Sequence, residues 1–98
     1  MCTCPSQEVA HRLAKILVES NLAACVNIIP TMISVYAWQG QLEEEPESLL
    51  LIKTLESHYE ALEAVIDKEH PYECPEIMAV PISTGSHRYL QWISNTLS

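Results

Sequence analysis

Leu22-Ala23-Ala24-Cys25-Val26-Asn27-Ile28-Ile29 runs on through Pro30 to Ile33-Ser34-Val35-Tyr36-Ala37-Trp38, and after Gly40 and the acidic residues Glu43-Glu44-Glu45 the chain returns as Ser48-Leu49-Leu50-Leu51-Ile52-Lys53. Two runs rich in β-branched and aliphatic residues, joined by a polar segment containing glycine, predict a β-hairpin. Taken by parity, the first arm carries Ala24, Val26, Ile28, Met32, Tyr36 and Trp38 on one face and Cys25, Ile29, Ile33, Val35 and Ala37 on the other. Both faces are apolar, whereas an antiparallel strand with one face in water alternates apolar with polar. In a chain of 98 residues the helices can cover only one face of such a sheet. The other face then calls for self-association.

Working outward, Pro5 and Ser6 open a helix expected over about Ser6 to Glu19, with Val9, Leu13, Ile16 and Leu17 recurring at helical spacing and Glu8 at the positive end of the dipole. Residues 1–4 leave room for only the tail of a strand. Pro30 cannot donate to a ladder, so the first hairpin arm is expected at a sheet edge or with a bulge there. The acidic run Glu43 to Glu47 reads as a solvated loop at the hairpin tip. Ser57-His58-Tyr59-Glu60 fits a capping box for a second helix ending near Glu69, where Pro71 disfavours helical geometry at His70. Ile77-Met78-Ala79-Val80-Pro81-Ile82 reads as another strand, and Ser86 caps a last helix with Tyr89, Leu90, Ile93 and Leu97 inward. Strand remnant, helix, two-stranded hairpin, helix, strand and terminal helix give an α+β fold, the ferredoxin-like βαββαβ sandwich with a long hairpin. One domain is expected over residues 1–98. Its bare sheet face would exceed the apolar patch a monomer usually exposes.

Composition narrows the function. Apolar residues at 48% and charged residues at 18% describe a globular chain, and no apolar run reaches the roughly 20 residues of a membrane span. The net charge of −8, with Arg12, Lys15, Lys53, Lys68 and Arg88 scattered, argues against nucleic-acid binding. The start of the chain has neither a basic nor an apolar leader region, which makes the cytoplasm the expected location. There the four cysteines are expected as thiols, and no CxxC pair is present. No nucleophile-base pair, phosphate loop or HExxH motif points to an enzyme.

The connector Glu69-His70-Pro71-Tyr72-Glu73-Cys74-Pro75-Glu76 holds an imidazole, a phenol, a thiol and carboxylates between two prolines. Cys2 and Cys4 flank Thr3, so an extended backbone turns both thiols to one side. Soft thiolates suit Cu(I) or zinc, with His70 a third ligand if the sheet end brings it close; two thiols packing as small hydrophobes is the alternative. Cys25 is expected in the core and Cys74 packed, while His11, His58 and His87 are expected in solvent. Trp38 beside Gly40 reads as an interface anchor. Lys53, a cation inside a strand, needs a partner, and Glu76 is the candidate. Lys53, His70, Tyr72 and Glu76 could form either a structural ion-pair cluster or a small-molecule cleft at a subunit boundary.

Leu22 to Pro30, Tyr36-Ala37-Trp38-Gln39-Gly40, Ile52-Lys53-Thr54, His70-Pro71-Tyr72 with Pro75-Glu76-Ile77, and Tyr89-Leu90-Gln91-Trp92-Ile93 together resemble the CutA-type divalent-cation-tolerance proteins over nearly the whole chain. The resemblance implies a tight homotrimer similar in shape to the PII signalling proteins, cytoplasmic in bacteria and linked to tolerance of copper and other divalent metal ions. It places weak copper binding on Cys2 and His70, and Glu69 beside His70 is taken with them as a metal candidate. Where some members have a second histidine this chain has Glu69, and where members carry a full apolar strand before the Thr3-Cys4-Pro5 triplet it has only Met1 and Cys2. A shortened first strand is therefore expected. A PII-like small-molecule sensor or scaffold using clefts between subunits is the second reading.

Overall fold

The computed structural model describes residues 1–98. Strand β1 (Cys2–Cys4), helix α1 (Gln7–Glu19), strands β2 (Cys25–Trp38) and β3 (Gln41–Lys53), helix α2 (Tyr59–Glu69) and helix α3 (His87–Leu97) follow in that order. The three strands form an antiparallel sheet in the order β1-β3-β2. The long hairpin stretches the molecule to 45 × 26 × 21 Å.

Local chemistry sets the ends of these elements. Ser6 is extended, and its hydroxyl accepts a hydrogen bond from the Val9 amide, which satisfies one of the free donors at the start of α1. At the other end Asn21 takes φ 61°, the Leu22 amide reaches back to the Leu17 carbonyl and the Asn21 amide to that of Val18. That is a Schellman closure with asparagine in the left-handed position. Between β2 and β3 only Gln39 and Gly40 form the turn, with φ of 50° and 78°. Positive φ at both positions is the type I′ geometry whose twist suits a two-residue hairpin. Ser86 caps α3 by accepting from the Tyr89 amide.

Pro30 sits where the β2–β3 register slips, between Ile29 and Met32, on an edge strand. The Ser48 hydroxyl donates to the freed Pro30 carbonyl at 2.6 Å, so the bulge leaves that acceptor satisfied. Leu13, Leu17, Leu50, Leu62 and Ile66 pack with Cys2, Cys4, Ala10 and Ala23 into the core between the helices and the sheet. Ile93 and Leu97 of α3 are buried outside that cluster.

Three expectations are corrected. The acidic residues Glu43 to Glu47 are not a loop: they lie within β3, paired with Tyr36, Val35, Ser34, Ile33 and Met32. Ser57 does not cap α2, because it lies in the 3₁₀ turn Glu56–His58, and its hydroxyl is 3.1 Å from His58 Nδ1. Residues 77–82 make no strand beyond a single bridge between Ile77 and Cys2. Strand β1 spans three residues, and the antiparallel contact with it extends only through Met1 and Met78, whose backbones exchange hydrogen bonds of 2.7 and 3.1 Å; residues 79–82 have no strand paired beside them.

Leu50 is fully buried and is paired with both Cys2 and Ile28. Leu50→Ala is expected to cost about 2–5 kcal/mol, the range for deleting a buried leucine side chain, read as a lower denaturation midpoint with an unchanged slope in urea.

Candidate functional site

Pro71 builds this site from a distance. It pushes the preceding residue out of helical geometry, and His70 accordingly adopts φ −80°, ψ 138° while its amide still closes on the Ile66 carbonyl at 2.8 Å. The imidazole is thereby turned from the end of α2 onto β1. There the pleat presents Cys2 and Cys4 on one side, as expected from their spacing, and the ligand atoms of Cys2, Cys4 and His70 all lie within 4.8 Å of one another. Both thiols are fully buried, and His70 is only 7% exposed.

Both ring nitrogens of His70 are engaged. The Tyr72 amide donates to Nδ1 at 3.1 Å, and an amide can only donate, so Nδ1 is the unprotonated nitrogen. The proton then resides on Nε2, which donates to the Thr3 carbonyl at 2.7 Å. The Cys2 thiol donates to the Thr3 carbonyl at 3.6 Å. The neighbouring Cys4 sulfur, with burial behind it, raises Cys2 far above the ordinary thiol range. The same neighbour lowers Cys4 against the opposing effect of burial.

Tyr72 covers His70, ring centroids 4.8 Å apart, and its hydroxyl donates to Glu47 Oε2 at 2.9 Å. Burial, the bond to Glu47 and the carboxylate's charge hold the phenol well above its usual range. Glu47 itself is buried although its neighbours in the acidic run are not. Reading the run as a loop hides it. The signal for it is position, since Glu47 immediately precedes the apolar run Ser48 to Ile52 and belongs to the same strand.

The other expected residues are dispersed. Glu69 is turned away from the thiols toward α1: Arg12 Nη1 pairs with its carboxylate at 3.3 Å and Nη2 donates to its carbonyl at 3.0 Å. Lys53 donates to the Asn27 side-chain oxygen across the hairpin and makes no ion pair with Glu76. It lines a cleft of about 880 Å³ with Leu51, Tyr59, Met78, Val80 and Ile82, which none of His70, Tyr72, Glu76 or Trp38 enters. Glu76 is exposed beside Ile77, and its charge reaches Cys2. Trp38 is at the hairpin tip opposite Gln41, 52% exposed. Cys25 is half-buried, and Cys74 is exposed where packing was expected. His11 and His87 are exposed as expected; His58 is half-buried.

Two thiols and one imidazole, held together in a dry site, form a donor set for a thiophilic cation and leave one position of a tetrahedron open. The fold and this cluster define an α+β domain of the ferredoxin-like class with soft donors on its first strand and at the end of its second helix. The comparisons carry this to a family. Residues 1–96 match the family model described as CutA1 divalent ion tolerance protein. The divalent-cation tolerance protein CutA of Thermus thermophilus is 48% identical over 93 residues, covering 95% of this chain and 90% of that protein. Human protein CutA is 46% identical over 91 residues, 93% of this chain but 51% of its own length. The crystal structure of CutA1 from Oryza sativa superposes with a TM-score of 0.96 at 42% identity, covering 99% of this chain and 89% of that one. The chain belongs to the CutA1 family.

The family model and the Thermus thermophilus relative are named for divalent-ion or divalent-cation tolerance and not for a catalysed reaction. Other relatives correct the expected location. The Arabidopsis thaliana relative, 44% identical over 96% of this chain and 52% of its own length, is named chloroplastic, and an Archaeoglobus fulgidus structure, 37% identical with a TM-score of 0.96 over 99% of this chain and 94% of its own, is named periplasmic. The family therefore does not carry a cytoplasmic address. No helix of the chain is long and apolar enough to cross a membrane.

Because the folded Tyr72 phenol titrates above the unfolded one, the protonated phenol stabilises the fold below about pH 10, and that contribution falls as pH rises past this value. The stability difference between the protein and its Tyr72→Phe variant is expected to shrink from pH 9 to pH 11 in paired thermal melts.

Proposed function

We propose that the chain is a non-catalytic homotrimer that binds copper and other thiophilic or divalent metal ions weakly at Cys2, Cys4 and His70. The juxtaposition of the three donors within 4.8 Å in a buried site is the observation that carries this reading. The low affinity follows from what the site already contains. A cation has to take the place of the thiol protons and of a hydrogen bond on the imidazole, and both displacements subtract from the affinity. Glu69, committed to Arg12, is no ligand in this reading.

The trimer is supported by surface that one copy leaves in water. Ile33, Val35 and Leu42 are 62%, 59% and 75% exposed along the hairpin, and Trp38 stands at its end. Closed cyclic association is the ordinary means of covering such arms without leaving a free edge. A second reading, a small-molecule sensor, draws support from the cleft beside Lys53. Its dispersed polar groups favour the metal reading.

Competition of the purified protein against a chromophoric chelator for Cu(I) and Zn(II) tests the site. Cys2→Ser and Cys4→Ser are each expected to weaken binding more than the roughly tenfold typical of losing a supporting residue. Unchanged affinity in both removes the site. Sedimentation is expected to give three times the 11.0 kDa chain mass; a stable single subunit at micromolar concentration refutes the assembly.

A further inference from the structure

The hydrogen bonds on His70 couple the site to the connector that follows it. Neutral imidazole has one lone pair available in the ring plane, and the Tyr72 amide occupies it at Nδ1. A cation has two ways in. If it takes Nδ1, it displaces the Tyr72 amide directly. If it takes Nε2, the ring's one proton must pass by way of solvent from Nε2 to Nδ1, and that N–H then faces the N–H of Tyr72. Either route breaks the same contact. Tyr72 also carries the ring tilted against His70 and the hydroxyl bond to Glu47, so displacing its backbone disturbs both.

We propose that metal ligation by His70 releases Tyr72, so that the connector from Pro71 to Pro75 is the element that reports occupancy of the thiol-imidazole site. The inference rests on the metal reading of that site and supplies its conformational output. Several features localise the change. Residues 71–76 have no regular secondary structure, so no helix or sheet ladder holds them in place. Pro71 and Pro75 limit the backbone at either side of the segment. The Tyr72 hydroxyl bond is its tie to β3, and it ends on Glu47, opposite Met32 and at the margin of the Pro30 bulge. Release therefore frees a buried carboxylate at the base of the protruding hairpin. The thiols give their protons to solvent as the cation binds, and no oxidation or reduction is involved.

The closed state also taxes binding. The site must give up the Tyr72 contacts before His70 can coordinate, so weakening those contacts by a change elsewhere raises the apparent affinity. A Tyr72 whose role is only to pack the site predicts the reverse, lower affinity when its hydroxyl bond is lost.

Amide hydrogen exchange resolved at Tyr72 tests the coupling, with Zn(II) as the probe. Tyr72 is expected to exchange at least about fivefold faster in the loaded protein, the effect of losing one ordinary hydrogen bond, while the core amides of Leu13 and Leu50 do not accelerate. Tyr72→Phe, which keeps the ring and the charge of Glu47, is expected to bind Zn(II) several-fold more tightly. Zinc bound through Cys2 and Cys4 with Tyr72 still protected overturns the coupling and leaves the metal reading standing. Unchanged or weaker binding by Tyr72→Phe overturns it as well. No zinc binding by the unmodified protein refutes the metal reading, and the coupling falls with it.

Discussion

Pairing along both edges of β3 is the constraint from which this structure follows. Leu50 lies opposite Cys2 on one side and Ile28 on the other, and Leu49 opposite Thr3 and Ile29. A slip of one residue in either ladder would turn every side chain of the slipped strand to the opposite face. Leu50 would leave the core, and Cys2 and Cys4 would turn away from the helices. The position of the thiols is thus set by the register of a neighbouring strand. The imidazole reaches them only because α2 packs Leu62 and Ile66 into the same core and ends against Pro71. Core packing and site geometry are one arrangement.

Much of this was legible beforehand, and what was not has a common cause. Ser6, Pro30, Gly40 and Ser86 act on their immediate neighbours, and each appears in the structure in the role its local chemistry implies. Cys2, Cys4 and His70 could be related because one pair follows the strand pleat and the histidine ends a helix that packs on that strand. The errors concern pairing. Glutamate has little intrinsic preference for strands, yet Glu43, Glu44 and Glu45 are held in β3 because Tyr36, Val35 and Ser34 stand opposite with free backbone groups. Ile77 to Ile82 has a strand-like composition, yet it is bridged to β1 at Ile77 alone. Lys53 had a carboxylate nominated from across the chain, whereas the neighbouring strand supplied Asn27 first. Propensity is read along one segment; a ladder or an ion pair needs the other segment as well.

Glu47 and Glu69 show how differently the fold treats two carboxylates that the sequence places beside similar groups. Arg12 neutralises Glu69 at the surface, where such a pair contributes little to stability but fixes direction, drawing the side chain toward α1 and off β1. Glu47 has no cation. Its compensation is the Tyr72 hydroxyl, a neutral donor; burial and then this bond hold the phenol in its protonated form, and the two groups depend on each other. A carboxylate held this way is satisfied only while the connector stays in place.

The same accounting extends to the thiol-imidazole cluster. Every buried side-chain nitrogen and oxygen of the chain has a hydrogen-bond partner, and in the cluster the imidazole meets two backbone groups while the Cys2 thiol donates to the Thr3 carbonyl. In small zinc domains the ligands are unsatisfied without metal, so metal binding is folding energy and the apo chain unfolds. Here the ligands are part of an intact core already. A cation accepted by such a site adds little to folding and has to compete with bonds of ordinary strength, which keeps the exchange reversible at concentrations where a zinc finger would be saturated. Two cysteines that pack as small hydrophobes and are also donors in the proposed metal reading are therefore no contradiction: the packing supplies a fold that stands without metal, and donors already satisfied would set a modest affinity.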